Sequence, residues 1–363
     1  MRDSLNSKLL QHSSAMDYSV RSPKNSDTLK TIKRQAVGLR DDSLVQVSFA
    51  DESLRLPVVI EPRLAGQRLA DWATAHPPLL REYLERHGAI LFRGFEVRDF
   101  EAAIGATTEA GELLEYGYRS TPRTQVSGRI YTSTEYPAEL SIPLHNEMSY
   151  SLQWPLKVYF QCVLPAQTGG ETPIADSRRV YTRISPSVRA RFAQKGVLYV
   201  RNYGNGLDLS WQNVFQTENK AEVEDYCRRE HIQFEWKSGD GLRTSQLCQG
   251  IAWHPRTSEM VWFNQAHLFH TSTLEEKVRK MISAEFAEED LPRNAYYGDG
   301  SRIETSTLEE ILDAYRQETV TFAWHKGDVL MVDNMLVAHG RRPYSGPRKI
   351  LVGMAELFTS HDG

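Results

Sequence analysis

A chain of 363 residues carrying 43 basic and 47 acidic side chains, with 40% hydrophobic residues, is long enough to bury a large core. Its formal net charge of −4 argues against a broad nucleic-acid-binding face, and no apolar run approaches the roughly 20 residues of a membrane span. Three dispersed cysteines, Cys162, Cys227 and Cys248, exclude a disulfide scaffold and a paired-cysteine metal site; with a polar N-terminus lacking a signal-peptide core, they point to a reducing, cytoplasmic setting.

Residues 1–43 are rich in polar and charged side chains and poor in apolar periodicity, which predicts a flexible tail ahead of a single domain over 44–363. Alternation over Val45–Ala50 and Leu56–Ile60 predicts two strands. A helical stretch follows, interrupted at Pro77-Pro78; its second half places Leu80, Tyr83, Leu84 and His87 on one face, with Gly88 at the C-cap. Ala89–Phe92 reads as a compact buried strand, and Phe100, Ala103 and Ile104 mark another amphipathic helix. From about residue 128 the pattern turns mainly β, with Lys157–Leu164 as a central strand, a glycine turn over Thr168–Ile174 and a helix over 177–195.

Residues 202–245 read as a lid-like insertion, in which Trp211 and Phe215 either cover a pocket or anchor the segment to the core. Strands resume at Gln249–His254 and Met260–Asn264, and the pairs Ser272 with Glu275 and Ser306 with Glu309 predict two capping boxes. A turn at Trp324–Asp328 and strands at Val329–Val332, Val337–His339 and Lys349–Ala355 complete the chain. Helices first and then many strands predict a mainly β fold with flanking helices, a double-stranded β-helix or jelly roll.

The chemistry concentrates in Ile142–Tyr150. There His145 and Glu147 are one residue apart, so on an extended strand they aim at one point. His339 offers a third ligand, and two histidines with one carboxylate form the facial donor set that leaves open positions on Fe(II). Shortly after His339 comes Gly346-Pro347-Arg348. A buried guanidinium there would suit the distal carboxylate of 2-oxoglutarate, whereas at a strand end it would be a surface cation. Thr172, after Gly169-Gly170-Glu171, either adds a hydroxyl donor to that carboxylate or belongs to an ordinary hairpin turn. Asn146, Asn264, Gln265 and His267 are candidates for reading a substrate amino or carboxylate group; the alternative is that they satisfy loop backbone groups. Arg243 either binds a substrate carboxylate or is solvated in its glycine-rich turn.

Taken together, His145-x-Glu147, Gly169-Gly170-Glu171-Thr172, His339 and Gly346-Pro347-Arg348, with Trp324-x-Lys326-Gly327-Asp328 running into Asp333-Asn334, resemble the TauD/TfdA family of Fe(II)/2-oxoglutarate-dependent oxygenases over roughly residues 45–360. The stretches His145–Tyr150, Ser210–Gln212 and Trp262–Phe269 are similar to the subgroup around the syringomycin-pathway aspartate hydroxylase. The resemblance implies a jelly roll of the taurine dioxygenase type, with Fe(II) on His145, Glu147 and His339, 2-oxoglutarate on Arg348 and Thr172, and O2 as oxidant. It further implies hydroxylation of a small amino-acid-like substrate, free or tethered to a carrier protein, in specialised metabolite biosynthesis; desaturation and cyclisation are alternatives from the same chemistry. Neither a nucleic acid nor a membrane is expected as partner, and a homo-oligomer is left open. Glu147 stands where most of the family has Asp; both ligate iron, and a carboxylate here disfavours halogenation, which needs a small residue at that place. Two rivals from other classes are a non-catalytic jelly-roll metal-binding protein and a zinc hydrolase on the same three ligands, neither of which would need Arg348 and Thr172.

Overall fold

The computed structural model describes residues 44–109, 113–115, 124–133, 136–204, 206, 208–273 and 276–360; the tail expected over 1–43 lies outside them. Among the described residues the largest sheet has eight strands, in the order Val45–Asp51, Leu56–Pro62, Ala89–Phe92, Val329–Asp333, Gln153–Leu164, Lys349–Thr359, Ile130–Thr132 and Gln125–Ser127. A smaller sheet runs Thr319–Val320, Ile174–Asp176, Val337–Arg341, Ile142–His145.

The near-continuous apolar runs in the central strands have a direct cause. Successive residues point to opposite faces, and both faces are covered. Leu91, Val158, Phe160, Leu330 and Val332 face one core, shared with Ile174 and Val337 of the smaller sheet. Their chain neighbours Ile90, Phe92, Tyr159, Val329 and Met331 face a second core, closed by Trp72, Leu80, Leu84, Phe100 and Ile104 from the N-terminal helices. Burying each large apolar side chain contributes about 1.5–3 kcal/mol relative to exposure, so both layers resist loss of a strand. The jelly roll expected from the sequence is therefore present, and the strand expected over Lys157–Leu164 is central, though it begins earlier, at Gln153.

Local differences from the sequence reading have physical reasons. Pro77-Pro78 opens a helix of its own, Pro77–His87, because proline suits the first helical turn; Gly88 then ends it in the left-handed region at φ 78°. The helix expected over 177–195 is two helices, Ser177–Arg183 and Pro186–Lys195, since the residue before a proline is pushed out of the helical region. Ser306 lies inside the first turn of Thr305–Glu318 and caps nothing; Glu304 holds the N-cap position and accepts from the Thr307 hydroxyl at 3.3 Å. Glu275, half of the other expected box, lies outside the described residues.

The 202–245 segment supplies two strands, Gln233–Trp236 and Leu242–Cys248, to a third sheet with Val197–Tyr203 and Arg293–Tyr297. Trp211 is buried in the core beneath that sheet, with its indole donating to the Asp240 carbonyl at 3.0 Å, and Phe215 packs edge-on to Tyr203 and Tyr226. All three cysteines are buried free thiols. No helix among the described residues is long and apolar enough to cross a membrane.

Candidate metal and cosubstrate site

Strand Val337–Arg341 lies between Ile174–Asp176 and Ile142–His145, and its register sets His339 directly opposite His145. Opposed side chains on an antiparallel pair share a face, and the two imidazoles sit with ring centroids 4.7 Å apart. Glu147 arrives differently from the sequence expectation. The strand ends at His145, and Glu147 belongs to the turn that follows, where Met148 takes a positive φ of 57°. The turn still delivers the carboxylate: ligand atoms of His145, Glu147 and His339 all lie within 4.8 Å of one another, with Glu147 Oε2 3.8 Å from His339 Nε2.

This donor set fits a divalent iron. His145 Nδ1 is 2.8 Å from the Pro143 carbonyl, which can only accept, so Nδ1 carries the proton and Nε2 keeps the lone pair that a metal needs. Glu147 and His339 are 3% and 4% exposed, and Phe160 presses edge-on against the His339 ring at 5.0 Å, so this side of the site is dry.

A turn has no β-ladder to hold it, so side chains do that work here. Asn334, fully buried, accepts the Glu147 N–H at 2.7 Å and donates to the Glu147 and Pro155 carbonyls, each at 2.9 Å. Its neighbour Asp333 accepts the Met335 and Leu336 N–H groups at 3.0 Å and pairs with the buried His254.

The four polar residues considered for substrate make hydrogen bonds within the protein, the alternative the sequence left open, while Asn146 Oδ1 and His267 Nδ1 have no partner among the described residues. Asn146 donates to Ser177 Oγ at 3.1 Å and to the Asn334 carbonyl at 2.6 Å. Gln265 donates to the Asn146 carbonyl at 2.7 Å, and His267 Nε2 to the Leu144 carbonyl at 2.8 Å. Asn264 donates to Gly250 and accepts from Ala266. All four are buried, where backbone polar groups must find protein partners. Burial pushes His267 down to about 4, so it stays neutral. Arg243 lies on the third sheet opposite Asn202 and donates to the Glu289 carbonyl, outside the His145–Glu147–His339 cluster.

Arg348 reaches the glycine turn that leads into Thr172. Arg348 Nε donates to the Gly170 carbonyl at 3.0 Å, and its stem passes 3.0 Å from where a Cβ on Gly170 would stand, so that glycine admits it. Among the described residues no carboxylate lies within ion-pair distance of Arg348. Burial, and then the nearby Arg341 charge, push its guanidinium down to about 10. Thr172 is 3% exposed, and its hydroxyl oxygen accepts the Trp324 indole N–H at 3.1 Å, which leaves the hydroxyl proton to donate. The Trp324–Asp328 turn that aims this indole is fixed by buried Asp328, which accepts from Arg93 at 2.7 Å and from the His325 N–H at 2.9 Å. Sequence reasoning noted Trp324 and Asn334 only as parts of a pattern. A polar Asn closing an apolar strand was the one signal available for its clamp.

The model of the taurine catabolism dioxygenase TauD, TfdA family matches residues 52–355. The dapdiamide synthesis protein DdaC of Enterobacter agglomerans is 43% identical over 283 residues, covering 78% of this chain and 86% of the relative. A clavaminate synthase-like protein of Arabidopsis thaliana is 32% identical over 294 residues, covering 76% and 84%. Among solved structures, one from Burkholderia xenovorans, described as an alpha-ketoglutarate-dependent 2,4-D dioxygenase, shares the fold at a TM-score of 0.50 and 13% identity, covering 87% of this chain and 99% of that one. A family match across most of the chain, on a jelly roll that gathers two histidines and a carboxylate, shows that the chain belongs to the TauD/TfdA family and is a 2-oxoglutarate-dependent dioxygenase working with Fe(II) and O2.

Proposed function

We propose that the protein hydroxylates an unactivated carbon of an amino acid, free or tethered to a carrier protein, in the biosynthesis of a specialised metabolite. The observation that carries the cosubstrate side is Arg348: a half-buried guanidinium without a carboxylate partner among the described residues, on the glycine turn that leads into Thr172, whose hydroxyl has a proton to give. Such a cation is costly to bury alone and is stabilised by an incoming anion. In this reading Arg348 and Thr172 hold the distal carboxylate of 2-oxoglutarate, and His145, Glu147 and His339 hold Fe(II). Bound together, iron and 2-oxoglutarate supply with O2 the oxidant for a C–H bond, while the protein supplies geometry and a dry pocket. The Pro143 carbonyl keeps His145 in one tautomer, and Asn334 keeps the Glu147 peptide in place. The carboxylate of Glu147 fills the place a halide would need, which favours hydroxylation over halogenation. The amino-acid side of the reading is supported by the relative that takes part in dapdiamide synthesis.

The test is a succinate-release screen over free amino acids and carrier-bound aminoacyl groups, with mass analysis of the products. Succinate together with a product heavier by one oxygen atom is the expected result. Succinate with a product lighter by two hydrogens would replace hydroxylation by desaturation or cyclisation. No succinate from any member, with no visible charge-transfer band from anaerobic Fe(II) and 2-oxoglutarate, would remove the site assignment.

A further inference from the structure

The ladder that carries His339 keeps one register beyond its strands. His339 lies opposite Ile174, and further on Tyr344 lies opposite Gly169. Between them the Gly340 N–H reaches the Pro173 carbonyl at 2.9 Å and the Arg342 N–H the Glu171 carbonyl at 3.0 Å. This register sets Arg341 directly opposite Thr172. Opposed residues share a face, and Arg341 also shares the face of His339, two positions earlier. A second guanidinium therefore starts from the face that carries Thr172 and His339.

Arg341 is 5% exposed. Its Nη1 donates to the Tyr136 carbonyl at 2.9 Å, and its Nη2 to the carbonyls of Pro137 and Leu140. The Nε–H is buried and has no partner among the described residues. Arg341 stacks on Tyr344 at 5.1 Å from the ring centroid, and Arg348 stacks on the same ring at 5.4 Å. Among the described residues neither guanidinium has a carboxylate within ion-pair distance. Two like charges held on one ring, one buried and one half-buried, are destabilising unless an anion joins them. Burial lowers the proton affinity of both groups, in keeping with that environment.

We propose that Arg341 is a second cation of the cosubstrate pocket, which holds a dicarboxylate through its charge and its unshared Nε–H while its terminal nitrogens fasten the 136–140 loop ahead of the His145 strand. This rests on the reading that Arg348 and Thr172 hold 2-oxoglutarate. It goes further in making the pocket selective for a dianion and in tying that charge to the segment that leads into the metal site. Removing one charge-assisted hydrogen bond is expected to weaken the dicarboxylate by roughly tenfold or more, and to leave a 2-oxo acid without the distal carboxylate almost unaffected.

The experiment titrates 2-oxoglutarate and, separately, 2-oxobutyrate into the full-length protein loaded with Mn(II), by calorimetry without turnover. Arg341→Gln is expected to raise the Kd for 2-oxoglutarate roughly tenfold or more and to leave the Kd values for 2-oxobutyrate and for Mn(II) alone within about twofold. Arg341→Lys, which keeps the charge and loses the Nε–H, is expected to fall between. Equal weakening of both acids, or an unchanged Kd for 2-oxoglutarate, would leave Arg341 as a loop fastener only and overturn the proposal. If Arg341→Gln does not fold, the ratio of the two affinities in Arg341→Lys decides: a reduced preference for the dicarboxylate supports the role, and an unchanged one ends it. Arg348→Ala serves as the separate control. Undiminished 2-oxoglutarate affinity in that variant would show that the underlying pocket reading, rather than the part given to Arg341, is at fault.

Discussion

Residue by residue, the candidate site is held more by neutral amides and one neutral imidazole than by charges. Asn334 grips both the N–H and the C=O of Glu147, so Asn334→Ala should let the carboxylate wander. The expected outcome is metal affinity weaker by on the order of 10–100-fold, read by Mn(II) titration, with the fold intact by circular dichroism. Unchanged Mn(II) binding would mean that the turn holds itself. His267 gives a pH signature. Its folded pKa of about 4 lies below the ordinary 6.5 because it is buried. As pH falls from 6.5 towards 4, the unfolded chain takes up a proton that the folded chain refuses, so stability present above 6.5 declines and the loss is complete below about 4. That difference corresponds to about 3 kcal/mol. His267→Gln can keep the bond to Leu144 and does not titrate; urea unfolding across this range should show a shallower acid decline than in the native chain. An identical decline would move the effect to other buried histidines.

At the level of elements, the turn residues are set by space as much as by propensity. Gly88 ends its helix at φ 78°, and a Cβ there would collide with Val337 Cγ2 and press Leu336 at 3.2 Å. Gly88→Ala therefore adds left-handed strain to a steric clash with the strand that carries His339. A cost of about 1–3 kcal/mol is expected in denaturant unfolding, with weaker metal binding if the strand shifts. Wild-type stability would show that the helix end can move aside. How far the sequence could be read follows from the same distinction. Val329–Val332 and Lys157–Leu164 were legible because two buried faces impose an apolar run on the sequence itself. The candidate ligands were legible because few residue types bind iron. By contrast, the opening of a new helix at Pro77, the break before Pro186 and the N-cap position of Glu304 depend on backbone geometry that several local sequences could satisfy. The backbone partners of Asn146, Gln265 and His267 were hidden for another reason: a polar side chain reads the same in sequence whether or not a buried carbonyl lies near it.

Among the described residues, three cores and two facing sheets make the site a product of the fold. The ligand strands are paired and their turn is clamped through contacts that need no ion. Stripping the metal with a chelator should therefore leave a cooperatively folded protein. Adding Mn(II) should raise its stability by mass action, by about 2.7 kcal/mol at one hundred times the Kd. Collapse of the near-ultraviolet dichroism on chelation would instead show that the ion builds the site. The clamp also has a meaning in time. Asn334 and Glu147 are 187 residues apart in the chain. At about 5–20 residues per second of synthesis, His145 and Glu147 wait on the order of 10–40 s for the side chain that holds their turn and for their third ligand beyond it. The full donor set thus exists only after His339 has been made and its strand has paired with that of His145.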